Sequence, residues 1–303
     1  MNKTYLLGID IGTSACKVAV FDRNGKVLAA ANGDYPVYYP HEGWAEQNPE
    51  EWWSAVCGAT RETIQKAGIA PEEIAGVGID GQSWSAIAID RDGNVLTNTP
   101  IWMDTRAQSI CDRLNEEIGA DAVFEVAGNS LQPSYTTAKI IWYKENLPEV
   151  YAKIYKILQS NSYIAFKLTD AITQDVSQGY GLHCFDMRKG CWDEAMCERL
   201  GIPMDFLPEI FNCDHVVGTV TAKAAQECGL AEGTPVVAGG LDAACGTLGA
   251  GVIHSGETQE QGGQAGGMSI CIDEYKADPS LILSYHVIPD KWLLQGGTTG
   301  GGG

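Results

Sequence analysis

The sequence predicts an α/β fold in which helices pack against a mixed β-sheet. Two segments, residues 5–30 and 74–97, share the same order of short apolar strand patterns and Gly-containing turns. Residues 49–67 between them have the pattern of an amphipathic helix. Strand patterns that alternate with helix patterns are typical of the α/β class. The chain has 303 residues, which is room for about two domains.

The first segment contains the strand patterns LLGIDIG, CKVAVFD and KVLAAA, and Asn24-Gly25 joins the last two. Asn-Gly between apolar runs is a strong signal of a tight hairpin turn. The second segment repeats this order with IAGVGID, SAIAID and NVLTN, and Asp92-Gly93 joins the last two. We therefore expect two related β-hairpin units within one sheet system.

The helix predicted at residues 49–67 has clear start signals. Asn48 is the expected N-cap, and Pro49 stands at the first helical position. Glu50 and Glu51 interact favourably with the positive end of the helix dipole. The expected buried stripe contains Trp52, Val56 and Ala59 or Thr60. We expect further helices at residues 105–117, 138–145, 162–167 and 192–200, a strand at residues 236–240, and irregular structure at residues 203–217.

The chain is acidic, with 39 Asp and Glu, 20 Lys and Arg, and a net charge of -19. This charge argues against nucleic-acid and anionic-membrane partners, although a nucleotide neutralised by Mg²⁺ remains compatible with it. The sequence has no run of 18 uncharged apolar residues, and Asp10 interrupts the apolar N-terminal stretch. We therefore expect neither a membrane helix nor a signal peptide. The ten scattered cysteines lack metal-binding spacing, which favours reduced thiols in a cytoplasmic protein.

Glycine is frequent, with 36 residues that cluster late in GGLDAACGTLGAG, QGGQAGG and QGGTTGGGG. The chain stops inside the last of these clusters. Because a domain seldom ends on bare glycines, we expect the sequence to be cut short.

Two familiar nucleotide-binding motifs are excluded. Gly76, Gly78 and Gly81 have the spacing of a dinucleotide fingerprint, but the intervening Val77 and Ile79 belong to a strand pattern. A polar loop follows them, where the fingerprint requires a helix. The P-loop pattern G-x-x-x-x-G-K-[ST] is absent.

The first candidate site follows the first strand. An Asp at the end of a buried strand, such as Asp10, is costly unless it has a partner such as a metal ion or its water shell. Gly12 permits a tight turn whose backbone N–H groups could face an anion, and Thr13 and Ser14 add hydroxyl donors near Lys17. The segment resembles a cradle for phosphate and Mg²⁺. An ordinary polar turn between strands is the alternative.

The second candidate site is Asp242, which follows the strand pattern VVAGG. Small residues around it leave space for a ligand, and a carboxylate in this position can accept a proton from a hydroxyl as a general base. The alternative is a carboxylate that only caps the following helix.

Two loops combine polar groups with aromatic faces, as sugar sites do. They are Gly81-Gln82-Ser83-Trp84 and Trp102-Met103-Asp104-Thr105-Arg106. Core tryptophans and a surface ion pair between Asp104 and Arg106 would explain the same residues equally well.

In this order the motifs resemble the FGGY carbohydrate kinases of the actin-like, ribonuclease-H-like ATPase superfamily. The resemblance rests on GIDIGTSACKVAVFD, GWAEQNPEEWW, GIDGQSW, WMDTRA, YTTAKIIWYKENLPEVY, FDMRKGCWDE and GGLDAACGTLGAG. It covers nearly the whole chain and is greatest to the xylulose kinase branch. Family members have two actin-like domains. The resemblance therefore implies an N-terminal sugar-binding and catalytic domain at residues 1–249 and the beginning of a nucleotide-binding domain at residues 250–303.

The resemblance also implies an ATP-dependent kinase of an open-chain sugar, such as the pentulose D-xylulose, that uses ATP and Mg²⁺. Asp242 would be the catalytic base and contact the sugar, and Asp10 would act on the Mg²⁺ directly or through water. The residues implied at the phosphates are Gly12, Thr13, Ser14 and Lys17, with Gly263, Gln264 and Gly266 from the second domain. The residues implied at the sugar are Gln82, Ser83, Trp84, Asp104 and Asn161.

Three positions depart from the family pattern. Ser83-Trp84 stand where xylulose kinases usually carry Met-His, and Ala243 stands where Asn is common. Gly263-Gln264-Ala265-Gly266 stand where Gly-Thr-Ser-Gly is usual. Ribulose, gluconate, erythritol and glycerol are therefore alternative substrates, and a sugar-binding module without catalysis is a second hypothesis. The expected partners are the sugar and ATP, and a homodimer is left open.

Overall fold

The computed structural model describes residues 4–261 and 266–298, and a mixed seven-stranded sheet forms the centre of this part of the chain. Its strands are β1 (Tyr5–Ile11), β2 (Ala15–Phe21), β3 (Val27–Asp34), β4 (Ile74–Gly81), β5 (Val216–Thr219), β6 (Pro235–Val237) and β7 (Gly240–Leu241). The strand order is β5-β6-β4-β1-β2-β3, and β7 also pairs with β4. Strand β4 runs parallel to β1, β6 and β7, whereas β1–β2, β2–β3 and β5–β6 are antiparallel. The predicted α/β class and mixed sheet are confirmed.

Helices pack around this sheet. The α-helices of the described residues are α1 (Pro49–Ala67), α2 (Gln108–Leu114), α3 (Ala120–Ala127), α4 (Thr136–Asn146), α5 (Pro148–Tyr151), α6 (Ser160–Thr169), α7 (Glu194–Leu200), α8 (Ala222–Cys228) and α9 (Asp242–Gly249). A π-helical turn, Asn115–Gly119, joins α2 to α3. Short 3₁₀ turns occur at Pro71–Glu73, Gly179–Gly181 and Met204–Phe206.

Alternation along the strands explains where the main core lies. In β1, Leu7, Ile9 and Ile11 are buried, and every second residue of β2 from Cys16 onward is buried as well. Side chains alternate between the two faces of a strand, so these residues share one face. Helix α1 covers that face with the predicted stripe, which includes the fully buried Trp52.

The start of α1 is as predicted. The Asn48 side chain accepts a hydrogen bond from the Glu50 N–H at 3.0 Å, and Pro49 occupies the first turn. The helix ends at Gly68, whose φ of +66° is in the left-handed region. An N-cap of this kind contributes about 1 kcal/mol to stability.

The two Asp-x-x-Gly turns have the same construction. Asp22 accepts hydrogen bonds from the N–H groups of residues 24 and 26, and Asp90 accepts them from residues 92 and 94. Gly25 and Gly93 are both left-handed, with φ of +78° and +81°. The predicted similarity of the two segments therefore holds at the turns.

The strands after the second turn differ from the prediction. Ile87–Ile89 pairs with Lys156–Leu158 in a separate two-stranded sheet, so it does not join the central sheet. The NVLTN segment forms no regular strand, because Val95 makes only a single bridge to Ile89 before the chain turns away. The next strand, Thr99–Pro100, pairs with Glu46–Gln47 instead. The prediction of two related hairpin units within one sheet was therefore wrong for the second unit.

Two further boundaries also differ. The helix expected from residue 192 begins at Glu194, because Asp193 caps it by accepting the Met196 N–H at 2.8 Å. Trp192 pairs as a short strand with residues 185–186. Residues 203–217 are more regular than expected, since Glu209–Phe211 pairs in parallel with Thr173–Asp175.

A second, antiparallel sheet lies after α9. Its strands are β8 (Thr258–Gln261), β9 (Gly266–Ile272), β10 (Ile282–Tyr285) and β11 (Trp292–Thr298), in the order β8-β9-β11-β10. Apolar residues of this sheet, such as Leu283 and Leu293, pack in one cluster with Tyr135 and Leu241 of the preceding part. Over residues 4–261 and 266–298, no helix has the length and apolar character needed to cross a membrane.

Candidate active site

Three aspartates meet at one edge of the central sheet. Asp10 lies opposite Asp80 in the parallel pairing of β1 with β4, and Gly240 of β7 also pairs with Asp80. Two residues later, Asp242 opens helix α9. The carboxyl ends of parallel strands lie at the same sheet edge, where α/β proteins bind ligands. The structure thus brings Asp10 and Asp242, which are 232 positions apart in the sequence, to one place.

Gly239 makes this convergence possible. It separates β6 from β7 with a φ of +76°, and a Cβ added there would overlap the Ile79 carbonyl oxygen. A side chain would therefore push the chain away from β4. Glycine allows the backbone to turn close against β4 and to place Asp242 beside it.

Asp80 carries the strongest electrostatic perturbation at this edge. Burial raises its pKa from 3.8 to about 9, and the negative charges of Asp10 and Asp242 act in the same direction. The side chains of Asp80 and Asp10 are hydrogen-bonded, so a protonated Asp80 donates to the Asp10 carboxylate. Sequence analysis missed Asp80. The repeated Gly-Ile-Asp of β1 and β4 is the signal that could have identified it.

Asp242 has the protonation behaviour of a proton acceptor near neutral pH. Burial raises its pKa from 3.8 to about 7, the Ala243 N–H lowers it, and the Asp10 charge raises it. The Ala243 N–H donates to Asp242 Oδ1 at 2.6 Å, and this hydrogen bond fixes one carboxylate oxygen. The side chain is only half-buried, so part of it remains accessible to solvent.

The turn between β1 and β2 carries the residues predicted at the phosphates. Lys17 Nζ donates to Asp10 Oδ2 at 2.9 Å and is largely exposed. Ser14 is exposed and Thr13 is half-buried. The Gly12 N–H donates to the Ala15 carbonyl at 3.1 Å, so this amide closes the turn and does not face an anion.

The predicted sugar residues Gln82, Ser83 and Trp84 follow β4 directly, in a segment that we call loop 82–86. Gln82 is buried, and its Oε1 atom has no hydrogen-bond partner. Ser83 Oγ lies 3.2 Å from the Tyr180 hydroxyl oxygen. Trp84 has a left-handed φ of +62°, which is strained for a bulky residue. Such strain is concentrated at functional sites.

Two aromatic residues that sequence analysis missed surround Trp84. The Tyr135 ring stacks on the Trp84 ring with centroids 4.2 Å apart, and the Tyr180 ring meets it edge-on at 5.8 Å. The buried Trp84 Nε1 makes no well-formed hydrogen bond. Burial raises the pKa of Tyr180, and the negative charge of the nearby Asp242 acts in the same direction. The aromatic cluster therefore lies next to the carboxylate edge.

Asp104 and Asn161 are enclosed in the fold. Asp104 is fully buried and accepts hydrogen bonds from Arg106 and from the Ala45 N–H. Asn161 is fully buried too, and its Nδ2 donates to Asp175 at 2.9 Å. The polar atoms of both side chains are engaged by other residues of the fold. The alternative interpretation, an Asp104–Arg106 ion pair at the surface, is thus wrong about its location, because the pair is buried.

Gln47 connects the two candidate subsites and was also missed. Its Nε2 donates to the Thr13 carbonyl at 2.8 Å, and its Oε1 accepts from Gln82 Nε2 at 2.8 Å. Residues 101–106, which we call loop 101–106, reach the same point, because Trp102 Nε1 donates to Thr13 Oγ1 at 3.0 Å. Thr13 therefore contacts loop 101–106 directly and is linked to Gln82 of loop 82–86 through Gln47. A polar residue between two acidic or amide neighbours in GWAEQNPEEWW gives no sequence signal for this role.

The donor chemistry of the edge is suitable for Mg²⁺. Carboxylate oxygens are the ligands that Mg²⁺ prefers, and an ion that arrives on nucleotide phosphates needs only one or two of them. Asp10 supplies such a carboxylate with a 30% exposed side chain. Within residues 4–261 and 266–298, no three or more His, Cys, Asp or Glu side chains are grouped to hold a metal ion.

The predicted second-domain phosphate residues are only partly within the described chain. Gly263 and Gln264 lie outside the described residues. Gly266 begins β9 and pairs with Thr298 of β11.

Comparisons with known proteins agree with the fold and the motifs. Residues 5–249 match the model of the FGGY family of carbohydrate kinases, N-terminal domain. The xylulose kinase of Bacillus subtilis (strain 168) is 34% identical over 254 residues, which is 84% of this chain and 51% of that protein. The structure of a xylulose kinase from Rhodospirillum rubrum has a TM-score of 0.93 at 27% identity, covering 97% of this chain and 60% of that one. A gluconate kinase from Lactobacillus acidophilus has a TM-score of 0.91 at 26% identity, with 97% and 60% covered. The chain thus spans about half the length of the first of these relatives.

Proposed function

Because the chain belongs to the FGGY family of carbohydrate kinases, we propose that its protein transfers the γ-phosphoryl group of ATP to a hydroxyl of an open-chain sugar. A pentulose such as D-xylulose is the first candidate, since two of the relatives above are named xylulose kinases. The observation that carries the proposal is the meeting of Asp10 and Asp242 at one sheet edge, beside the aromatic cluster around Trp84 and the unpartnered Gln82 Oε1 atom.

In this proposal Asp242 is the general base. The sugar hydroxyl oxygen attacks the γ-phosphorus, the bond from that phosphorus to the β,γ-bridging oxygen breaks, and ADP leaves. The proton of the hydroxyl passes to Asp242, whose pKa of about 7 suits proton acceptance near neutral pH. Phosphoryl transfer depends mainly on positioning and on neutralising phosphate charge.

The residues of the β1–β2 turn would serve the phosphates. Asp10 would hold the Mg²⁺ that accompanies ATP, directly or through water, and Lys17 and the hydroxyls of Thr13 and Ser14 would face the phosphates. Mg²⁺ supplies neutralisation of the phosphate oxygens when bound. Lys17 is well placed to bind a phosphate, because its ammonium is largely exposed and is paired only with Asp10 in the salt bridge. Gly12 shapes the turn.

The sugar would lie against loop 82–86. Gln82 carries a buried polar atom without a partner, which a sugar hydroxyl could satisfy, and Trp84 Nε1 makes no well-formed hydrogen bond. Ser83 is half-buried beside them, with its Oγ near the hydroxyl of the buried Tyr180. Asp104 and Asn161 would support the sugar site without contacting the sugar, since their polar atoms are already hydrogen-bonded inside the fold.

We also propose the domain division at residues 1–249 and 250–303, where α9 ends and the second sheet follows. ATP would be held partly by the second of these domains, with Gly263, Gln264 and Gly266 as proposed contacts. A reducing, cytoplasmic location is supported by the ten cysteines, all of which are free thiols and eight of which are buried.

The deciding experiment is a substrate panel on the complete protein. ADP release is measured with D-xylulose, ribulose, gluconate, erythritol and glycerol. Asp242→Asn is expected to lower kcat by about 10²-fold or more, because general-base effects have this size. Asp92→Asn, at an exposed turn, is the matched control and should leave kcat unchanged. Near-normal turnover by the Asp242 variant would contradict the assignment.

A sugar acid is the second candidate substrate. The gluconate kinase of Lactobacillus acidophilus fits this chain almost as closely as the xylulose kinase of Rhodospirillum rubrum does, with TM-scores of 0.91 and 0.93. A higher kcat/KM for gluconate than for any ketose in the panel would favour this candidate. Calorimetry with D-xylulose and with ATP on the 303-residue chain tests the non-catalytic module, which would bind the sugar alone.

A further inference from the structure

One face of helix α4 holds three consecutive carbonyl groups of loop 82–86. Its donors lie three and four residues apart, and such residues share one helix face. The contacts are Lys139 Nζ to the Trp84 carbonyl at 2.7 Å, Thr136 Oγ1 to the Ser85 carbonyl at 3.1 Å, and the Tyr143 hydroxyl to the Ala86 carbonyl at 3.0 Å. This segment lies between β4 and the strand Ile87–Ile89, so side chains of α4 replace the ladder that a strand would have.

Lys139 differs from the other two donors because it also reaches the second loop. Its Nζ donates to the Ile101 carbonyl at 2.9 Å. Ile101 directly precedes Trp102, which contacts Thr13 in the phosphate turn. One amino group therefore joins the backbone of loop 82–86 to the backbone of loop 101–106.

Because Lys139 is buried, its connection between the two loops carries a desolvation cost. The side chain has no solvent exposure, and a buried ammonium needs hydrogen bonds to offset lost hydration. The charged groups that face it are Asp104, which is already paired with Arg106, and Arg106 itself. Burial lowers the pKa of Lys139 to about 7, an effect that Asp104 opposes. An apolar side chain would fill this space at less cost.

The strained backbone at Trp84 indicates what the Lys139 hydrogen bonds stabilise. A left-handed tryptophan persists only where its surroundings hold it. The carbonyl that follows this strained φ is the one that Lys139 binds, and the indole stacks on Tyr135, which precedes α4. Without Lys139, the Trp84 peptide would lose its partner and could relax.

We propose that Lys139 is a positioning residue of the acceptor site, which holds Trp84 in its left-handed conformation and sets the separation of loop 82–86 from loop 101–106. Lys139 touches neither the sugar nor ATP and acts through these two loops. The inference rests on the proposed function for its effect on catalysis. Its structural part does not depend on which acceptor is used.

The test compares Lys139→Met with Lys144→Met in the complete protein. Lys144 is an exposed residue on the same helix, so the control makes the same chemical change away from both loops. We expect Lys139→Met to raise KM for the best acceptor of the panel about tenfold, as the loss of one charged hydrogen bond would. KM for ATP should stay within about twofold, because the phosphate turn keeps its own contacts. If Lys139→Met fails to fold, Lys139→Gln, whose amide reaches one bond less far, replaces it with the same expected changes.

Hydrogen exchange provides a second readout without turnover. Backbone amides of residues 83–87 and 101–106 should exchange faster in the Lys139 variant than in the Lys144 control. An unchanged acceptor KM, an equal rise in both KM values, or unchanged exchange in both loops would overturn the proposal. If the parent protein phosphorylates nothing in the panel, the proposed function fails, whereas the exchange experiment still decides the role of Lys139 in the loops.

Discussion

Replacement of Asp80 by Asn is expected to stabilise the fold, and more so at higher pH. Asp80 lies between Asp10 and Asp242, and burial together with these charges raises its pKa from 3.8 to about 9. The folded protein therefore keeps a proton at neutral pH that the unfolded chain releases. Asn has the shape of the protonated acid and still donates an N–H to Asp10, but it needs no proton.

The sign and size follow from linkage. An acid with a raised folded-state pKa contributes fully to stability below its ordinary pKa of 3.8, and this contribution is lost as pH rises towards about 9. Each pH unit in this window costs about 1.4 kcal/mol, so at about pH 7 the cost reaches roughly 4 kcal/mol as an upper limit. Asp80→Asn should remove this cost.

The assay is urea unfolding followed by circular dichroism, without nucleotide or metal ions, at about pH 5 and about pH 8. The free energy of unfolding of Asp80→Asn should exceed that of the parent at the higher pH, and the difference should shrink at the lower pH. Asp92→Asn, which changes an exposed carboxylate, should show a small difference that does not depend on pH. An Asp80 variant that is less stable than the parent at high pH, or a gap that is equal at both pH values, would refute the protonated Asp80.

Two other expectations concern the same site. If Asp242 is the base, kcat/KM should fall about tenfold per pH unit below its pKa of about 7, because the protonated acid cannot accept a proton; a pH–rate profile that stays flat down to about pH 5 would contradict this. In Gln47→Leu, Gln82 Nε2 and the Thr13 carbonyl lose their hydrogen-bond partner. The free energy of unfolding should therefore fall by about 1–3 kcal/mol for each of these unpaired groups. Urea unfolding measures this, with the exposed Gln65→Leu as control, and equal stability of the two variants would count against it.

Local sequence patterns predicted those parts of the fold that depend on neighbouring residues. The start of α1 is an example, because the cap, the proline and the apolar stripe all lie within one short segment. The NVLTN segment shows the limit. Its pattern matches KVLAAA, but NVLTN forms no regular strand beside the strand before it. That preceding strand, Ile87–Ile89, pairs instead with Lys156–Leu158, which is 67 or more positions away. Strand pairing across such a distance is not encoded in the local pattern.

The same limit explains why Asp80 was missed while Asp10 was identified. Both lie in a Gly-Ile-Asp sequence near the end of a strand, but Asp80 is followed by Gly81-Gln82, which has the pattern of a polar binding loop. The pairing of β1 with β4 gives Asp80 its importance, because it places the two carboxylates in register. The raised pKa of Asp80 comes first from burial in the folded sheet and then from the charges of Asp10 and Asp242, and neither strand alone contains these causes.

The polar residues predicted at the sugar divide according to the hydrogen bonds that the fold leaves unused. Asn161 has its amide nitrogen on Asp175 and the Ala238 carbonyl, and its amide oxygen accepts from Gln178. Its remaining capacity is small, because the fold has already used it to join α6 to the neighbouring strands. Gln82 has the same side-chain chemistry, but its Oε1 atom is buried without a partner. A buried acceptor of this kind costs free energy that only a ligand or water can recover. Residue type identified both positions, and the unused hydrogen bond is the physical reason that we propose Gln82, rather than Asn161, as a sugar contact.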